Sequence, residues 1–150
     1  MLEAGAKLPD IGVEDDTGTT IHLRDLGKKK TLVVYFYPKA NTPGCTNETI
    51  QFRDLNGQFQ KKGATVVGVS RDSVKAQAGF KEKYEVPFAL LADVESAVCD
   101  AFGVIVEKNM YGKKSLGIQR STFVVKDGTV TKVWPKVSVE GHAAEVLSSL

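Results

Sequence analysis

The chain has two thiols, Cys45 and Cys99, too far apart to form a CxxC metal or redox pair, so each must act singly if it acts at all. Cys45 lies in YFYPKANTPGCTNE, where an apolar run stops near Tyr37 and Pro38 and Thr42, Pro43, Gly44 and Cys45 open a helix-length segment. Thr42 can cap that helix and Pro43 suits its first position. This register puts Cys45 in the first turn, where unpaired N–H groups and the positive end of the macrodipole favour thiolate over thiol. Gly44 lets a reactant approach the backbone, and the neighbouring N–H groups can stabilise charge developing on a breaking bond. The Thr42 hydroxyl can both donate and accept. Position alone leaves two readings open, a nucleophilic thiolate or an inert buried thiol.

The elements that must hold this segment are legible as apolar runs. Leu32 to Tyr37, Thr65 to Val69 and Phe88 to Leu91 read as buried strands of a sheet covered on both faces. Between them, Thr42 to Lys62 places Phe52, Leu55 and Phe59 on one helical arc with Gly63 as the stop, and Ser73 to Tyr84 begins at a Ser cap. Ser121 to Val125 and Val130 to Trp134 flank an Asp127-Gly128 hairpin turn, and Glu140 to Leu150 ends the chain as a short helix. Asp16-Thr17-Gly18 suggests a further hairpin near the N-terminus. The expected architecture is α/β: one thioredoxin-like domain over 1–150, with a mixed central sheet, flanking helices and an added N-terminal β-hairpin.

Bulk properties narrow the function. In 150 residues the charge is +2 and, apart from Lys28 to Lys30, which read as a solvated loop, the basic residues are scattered. Neither a nucleic-acid nor a membrane partner is implied. The N-terminal residues lack an apolar signal core and no run approaches the roughly 20 residues of a membrane span, so a cytoplasmic protein is expected. His22 and His142 have no partner at metal-ligand spacing and are expected at the surface, with no metal and no cofactor. Asp15-Asp16 and Lys113-Lys114 read as solvated loop charges, and Trp134 as core or rim beneath the last helix.

Pro38, Thr42 and Cys45 reproduce a PxxxTxxC signature, and YFYPKxxTPGCT is joined by LPDI at 8–11, FRDL at 52–55, VVGVSRDS at 66–73, LLAD at 90–93, GIQRSTFVV at 117–125 and GHAAEVL near the C-terminus. Together these resemble the peroxiredoxins, in particular the bacterioferritin comigratory protein or peroxiredoxin Q subfamily. The resemblance implies a thiol peroxidase in which Cys45 is the peroxidatic cysteine, Thr42 hydrogen-bonds the peroxide, Pro38 shields the sulfur and Arg120 is the active-site arginine. It also implies a hydroperoxide substrate, a thiol reductant such as thioredoxin or glutaredoxin, and a monomer or weak dimer. A guanidinium suits such a position because it stays charged and donates several fixed hydrogen bonds. Glu48, three residues after Cys45 on the side of Phe52 and Leu55, is assigned to orienting Arg120; a first-turn glutamate favourable to the helix dipole is the alternative.

Many members of the subfamily carry a resolving cysteine five residues after the peroxidatic one, but that position here is Ile50. The following helix holds no cysteine, leaving Cys99 as the sole internal candidate. In DVESAVCDAF the apolar stripe is Val94, Ala97, Val98, Ala101 and Phe102, which puts Cys99 on the helix flank, partly exposed and structural. The expected cycle uses one cysteine and an external thiol. The alternatives are a two-cysteine cycle using Cys99, a redox-sensing or chaperone-like module, and a thiol–disulfide oxidoreductase, which normally needs a cysteine pair.

Overall fold

The structure, a computed structural model, describes residues 1–28 and 31–150. Lys29 and Lys30, two of the three lysines read as a solvated loop, lie outside the described residues. The chain runs β1 (Gly12–Asp15), β2 (Thr20–His22), α1 (Leu23–Gly27), β3 (Thr31–Phe36), α2 (Pro43–Lys61), β4 (Ala64–Ser70), α3 (Val74–Tyr84), β5 (Leu90–Ala92), α4 (Ala97–Phe102), β6 (Ile105–Met110), β7 (Lys113–Ile118), β8 (Ser121–Lys126), β9 (Thr129–Trp134) and α5 (His142–Ser148). Seven strands form one mixed sheet in the order β2-β1-β5-β4-β3-β8-β9, and β6 and β7 pair apart from it.

β3 is buried on both faces and divides the interior. Leu32, Val34 and Phe36 point to one side with Phe102, Phe123 and Val125. Val33, Tyr35 and Tyr37 point to the other, against Phe52, Phe59 and Phe80 of the long helices. Each such side chain contributes roughly 1.5–3 kcal/mol on burial. The period-two alternation of a central strand therefore assigns successive residues to two separate cores.

The predicted hairpins are present. Asp127 (φ 50°) and Gly128 (φ 78°) turn β8 into β9, and the N-terminal hairpin pairs through β1 with β5. Asp16, expected in solvent, is buried: its Oδ1 accepts the Leu90 N–H at 3.0 Å and its Oδ2 lies 3.2 Å from Lys81 Nζ. Lys113 and Lys114 begin a strand rather than lying in a loop, because Tyr111 (φ 54°) and Gly112 (φ 79°) make the turn just before them. Ser73 caps α3 as expected, accepting the Ala76 N–H.

His142 also departs from expectation. Only 2% exposed, it packs edge-on to Phe52 and Trp134 and lies 2.7 Å from the Thr122 hydroxyl. Trp134 fixes its ring, and the Thr122 hydroxyl supplies a partner from a strand distant in sequence. Burial lowers its pKa from 6.5 to about 4, so between those values the unfolded chain binds a proton that the folded chain refuses. The stabilisation is complete above about pH 6.5 and falls by up to about 3 kcal/mol as pH drops toward 4. His142→Gln is expected to flatten the acid limb of a plot of denaturation midpoint against pH; an unchanged limb would mean that His142 protonates freely in the fold.

Candidate active site

The loop after β3 is pinned before the helix begins. The Ala40 N–H donates to Asp72 Oδ2 at 2.8 Å, and Asn41 takes a left-handed backbone (φ 61°) that turns the chain into α2. Thr42 is the N-cap residue and Pro43 the first helical position, but the Thr42 side chain makes no cap hydrogen bond. Its hydroxyl donates instead to the Lys39 carbonyl at 2.7 Å. The local turn competes with the cap for this hydroxyl, and among the described residues no side chain accepts from the first-turn N–H groups of Gly44 and Cys45. Pro38 is exposed at the start of the loop.

Cys45 is 1% exposed and lies in the core lined by Tyr35, Tyr37 and Phe52. Arg120, from the short link between β7 and β8, donates from Nη2 to Cys45 Sγ at 3.3 Å and from Nη1 to Glu48 Oε1 at 2.8 Å. Its side chain is 15% exposed and that of Glu48 is fully buried. A Cβ on Gly44 would lie 3.2 Å from Arg120 Nη2, so the missing side chain makes room for the guanidinium. Residues 75 positions apart in the chain are thus brought to one sulfur.

The electrostatics of this group follow from burial. Burial lowers the Arg120 pKa, but the Glu48 carboxylate and the Cys45 sulfur outweigh it, and the net shift is upward. Burial raises the Glu48 pKa from 4.5 to about 7, despite the opposing pull of Arg120. Glu48 Oε2 has no hydrogen-bond partner among the described residues, and an unpaired buried carboxylate oxygen is costly. Burial and Arg120 thus pull the Glu48 carboxyl in opposite directions, and burial is the larger effect.

Cys99 contradicts the flank expectation. It is fully buried within the core on the opposite face of the central sheet from Cys45. α4 begins only at Ala97, so Val94 lies outside it and is 60% exposed, and the buried phase is Val98, Cys99 and Phe102. The Asp93 carboxylate accepts the N–H groups of Val98 and Cys99 at 3.1 and 2.8 Å. Burial and then Asp93 push the Cys99 thiol well above the ordinary cysteine range.

Residues 4–133 match the AhpC/TSA family. The chain belongs to this family and is a peroxiredoxin. It is 45% identical to peroxiredoxin Bcp of Bacillus subtilis over 150 residues, covering 99% of this chain and 95% of that one. It is 48% identical to peroxiredoxin Bcp of Xanthomonas campestris over 151 residues, covering 100% and 94%. A solved structure of the Xanthomonas campestris bacterioferritin comigratory protein, described for its alkyl peroxide reduction activity, superposes with a TM-score of 0.91 at 46% identity, covering 98% of this chain and 96% of that one. The fold is thioredoxin-like, and the enzyme is a thiol peroxidase acting on hydroperoxides with a thiol reductant.

Two tyrosines beneath the peroxiredoxin's Cys45 were not singled out from the sequence. Tyr35 Oη lies 2.9 Å from Thr49 Oγ1, tying β3 to α2, and Tyr37 Oη, from the residue just after β3, donates to Gln77 Oε1 of α3 at 2.6 Å. The available signal was YFY itself, because two hydroxyls in a fully buried strand require polar partners on the helices that cover them. Among the described residues no helix is long and apolar enough to cross a membrane.

Proposed function

We propose that the peroxidase runs on Cys45 alone, with an external thiol closing the cycle. The Cys45 thiolate attacks the terminal peroxide oxygen, the O–O bond breaks, Cys45 becomes a sulfenic acid, and the other oxygen leaves as hydroxide or alkoxide that takes a proton from solvent to become water or an alcohol. Arg120 holds the departing oxygen as it gains charge. Thr42 and the N–H groups of Gly44 and Cys45 orient the peroxide, Pro43 sets the helix start, and Pro38 limits access. Glu48 is a positioning residue that fixes Arg120. Hydrogen peroxide and organic hydroperoxides, including alkyl peroxides, are the proposed substrates.

The Arg120 guanidinium bridging Cys45 Sγ and Glu48 carries the chemical half of this reading. The one-cysteine half is supported by the opposite placement of the two thiols across the sheet, since a disulfide needs Cα atoms within about 7 Å. Cys99 is then structural, and thioredoxin, glutaredoxin or a small thiol attacks the sulfenic acid directly. After one equivalent of peroxide, intact-protein mass spectrometry is expected to find one added oxygen on Cys45 and no internal disulfide. Cys99→Ala is expected to turn over at an undiminished rate with an added dithiol; a Cys45–Cys99 disulfide that vanishes in this variant together with turnover would overturn the proposal.

A further inference from the structure

The hairpin of β6 and β7 has a side chain that the chemistry above does not use. At its base the Gln119 N–H donates to the Val104 carbonyl at 2.7 Å, and Arg71 Nη2 donates to the Leu116 carbonyl at 3.1 Å, fixing the arm beside the end of β4. Val106 pairs with Gly117 and Lys108 with Ser115, so these four share one face. The Lys108 side chain lies diagonally across Gly117: a Cβ there would stand 3.1 Å from its Cδ and 3.6 Å from its Nζ. Gly117 is three residues before Arg120, and the arm thereby carries a second cation back toward the active site.

Lys108 is half-buried, and its ammonium senses that site. Burial and then the charge of Arg120 lower its pKa, with Arg71 adding to this and the Cys45 sulfur opposing it. The nearby carboxylates are already engaged: Glu48 with Arg120, Glu107 with Lys114 at 3.5 Å, and Asp72 with the Ala40 N–H and the Ser70 hydroxyl. Arg71 at the Leu116 carbonyl, Lys108 across Gly117 and Arg120 at Cys45 Sγ form a positive rim along the end of β7 that leads to a nearly closed sulfur. Hydroperoxides are neutral, whereas the reacting form of any thiol is its thiolate. The rim therefore bears most strongly on the reductive half of the cycle.

We propose that Lys108 is a specificity-determining residue that, with Arg71, selects a carboxylate-bearing low-molecular-weight thiol as the reductant of oxidised Cys45. This rests on the external-thiol reading above. One thiolate attacks the sulfenic sulfur, forming a mixed disulfide and releasing hydroxide, which takes a proton to become water. A second thiolate attacks the reductant's sulfur in that disulfide, forming the free disulfide and returning Cys45 as thiolate. Two thiols are oxidised for each peroxide reduced.

The test is single-turnover reduction of the sulfenic form, in stopped flow, by mercaptopropionate, mercaptoethanol and cysteamine, with rate constants expressed per thiolate. The wild-type order is expected to be anionic, then neutral, then cationic, converging at high salt. Lys108→Ala is expected to lower the mercaptopropionate-to-cysteamine ratio roughly fivefold, the size of about one screened unit-charge contact. Lys108→Arg should keep the ratio, and Gly117→Val, which retains the lysine but fills the space it lies across, should lower it. A ratio unchanged in Lys108→Ala, with rates still proportional to thiol concentration, overturns the role of Lys108. Rates independent of thiol concentration, accompanied by an internal disulfide, overturn the external-thiol reading instead.

Discussion

Cys45→Ser is expected to reduce peroxide consumption to the uncatalysed background while leaving the fold in place. A serine hydroxyl remains protonated at any pH the protein survives, and among the described residues the one hydrogen-bond partner of Cys45 Sγ is the Arg120 guanidinium, a permanent donor that cannot take its proton. The substitution changes one buried atom for another of similar shape, and the hydroxyl can accept the bond Arg120 now gives to sulfur. Its stability cost is therefore on the order of 1 kcal/mol. Peroxide consumption assayed with dithiol in excess, next to a denaturation curve of the same variant, checks both halves. Residual turnover near the wild-type rate would place the reacting sulfur elsewhere, and Cys99 is the remaining one.

Cys99 itself shows how little helix position decides. Pro43, Gly44 and Cys45 open α2 as Ala97, Val98 and Cys99 open α4, so both sulfurs occupy the third helical position, where unpaired N–H groups converge. At α4 the Asp93 carboxylate has taken those N–H groups and adds negative charge beside the thiol. At α2 the Thr42 side chain turns away to Lys39, no side chain among the described residues accepts from those N–H groups, and a guanidinium meets the sulfur. Neither Asp93 nor Arg120 is adjacent in sequence to the cysteine it governs.

That contrast marks what was legible. The strands and long helices could be read because burial enforces periods of two and 3.6 on local sequence, and the Asp127-Gly128 turn because backbone geometry there demands particular residues. The β6–β7 arm escaped because it is mostly exposed and so has no apolar period; only Tyr111-Gly112 marked it. His142 and Asp16 were misplaced for one reason: each is a polar group buried against a partner from a distant strand or helix, and nothing local announces such a partner. For Cys99 the stripe was extended through Val94, a residue the helix never reaches. The site around Cys45 was legible through its signature, and Glu48 was paired with Arg120 because a carboxylate on the buried side of α2 needs a partner; the distances of that bridge depend on how distant parts of the fold meet.

Arg120→Ala is expected to slow the reaction of Cys45 with peroxide by about 10²–10³, the loss that follows removal of one donor from developing oxyanion charge, or roughly 2.7–4 kcal/mol. The same substitution strands Glu48, which is fully buried and keeps an unpaired Oε2 even with Arg120 present. Burial already holds its carboxyl near pKa 7 against the pull of the guanidinium, so without Arg120 the value rises further and the group is neutral at neutral pH. A raised carboxyl pKa favours the folded state at low pH and penalises it as pH climbs through the folded value. The variant should therefore lose stability relative to wild type as pH rises above neutrality, and match it more closely in mild acid. Arg120→Lys retains a charge but not two fixed donors, and cannot hold sulfur and carboxylate together; an intermediate rate is expected. Stopped-flow oxidation at fixed pH, with denaturation midpoints from mild acid to mild base, separates the two consequences. A rate within a few-fold of wild type would leave Arg120 only a structural partner for Glu48, whereas the predicted slowing with stability preserved in acid ties the guanidinium to the breaking O–O bond.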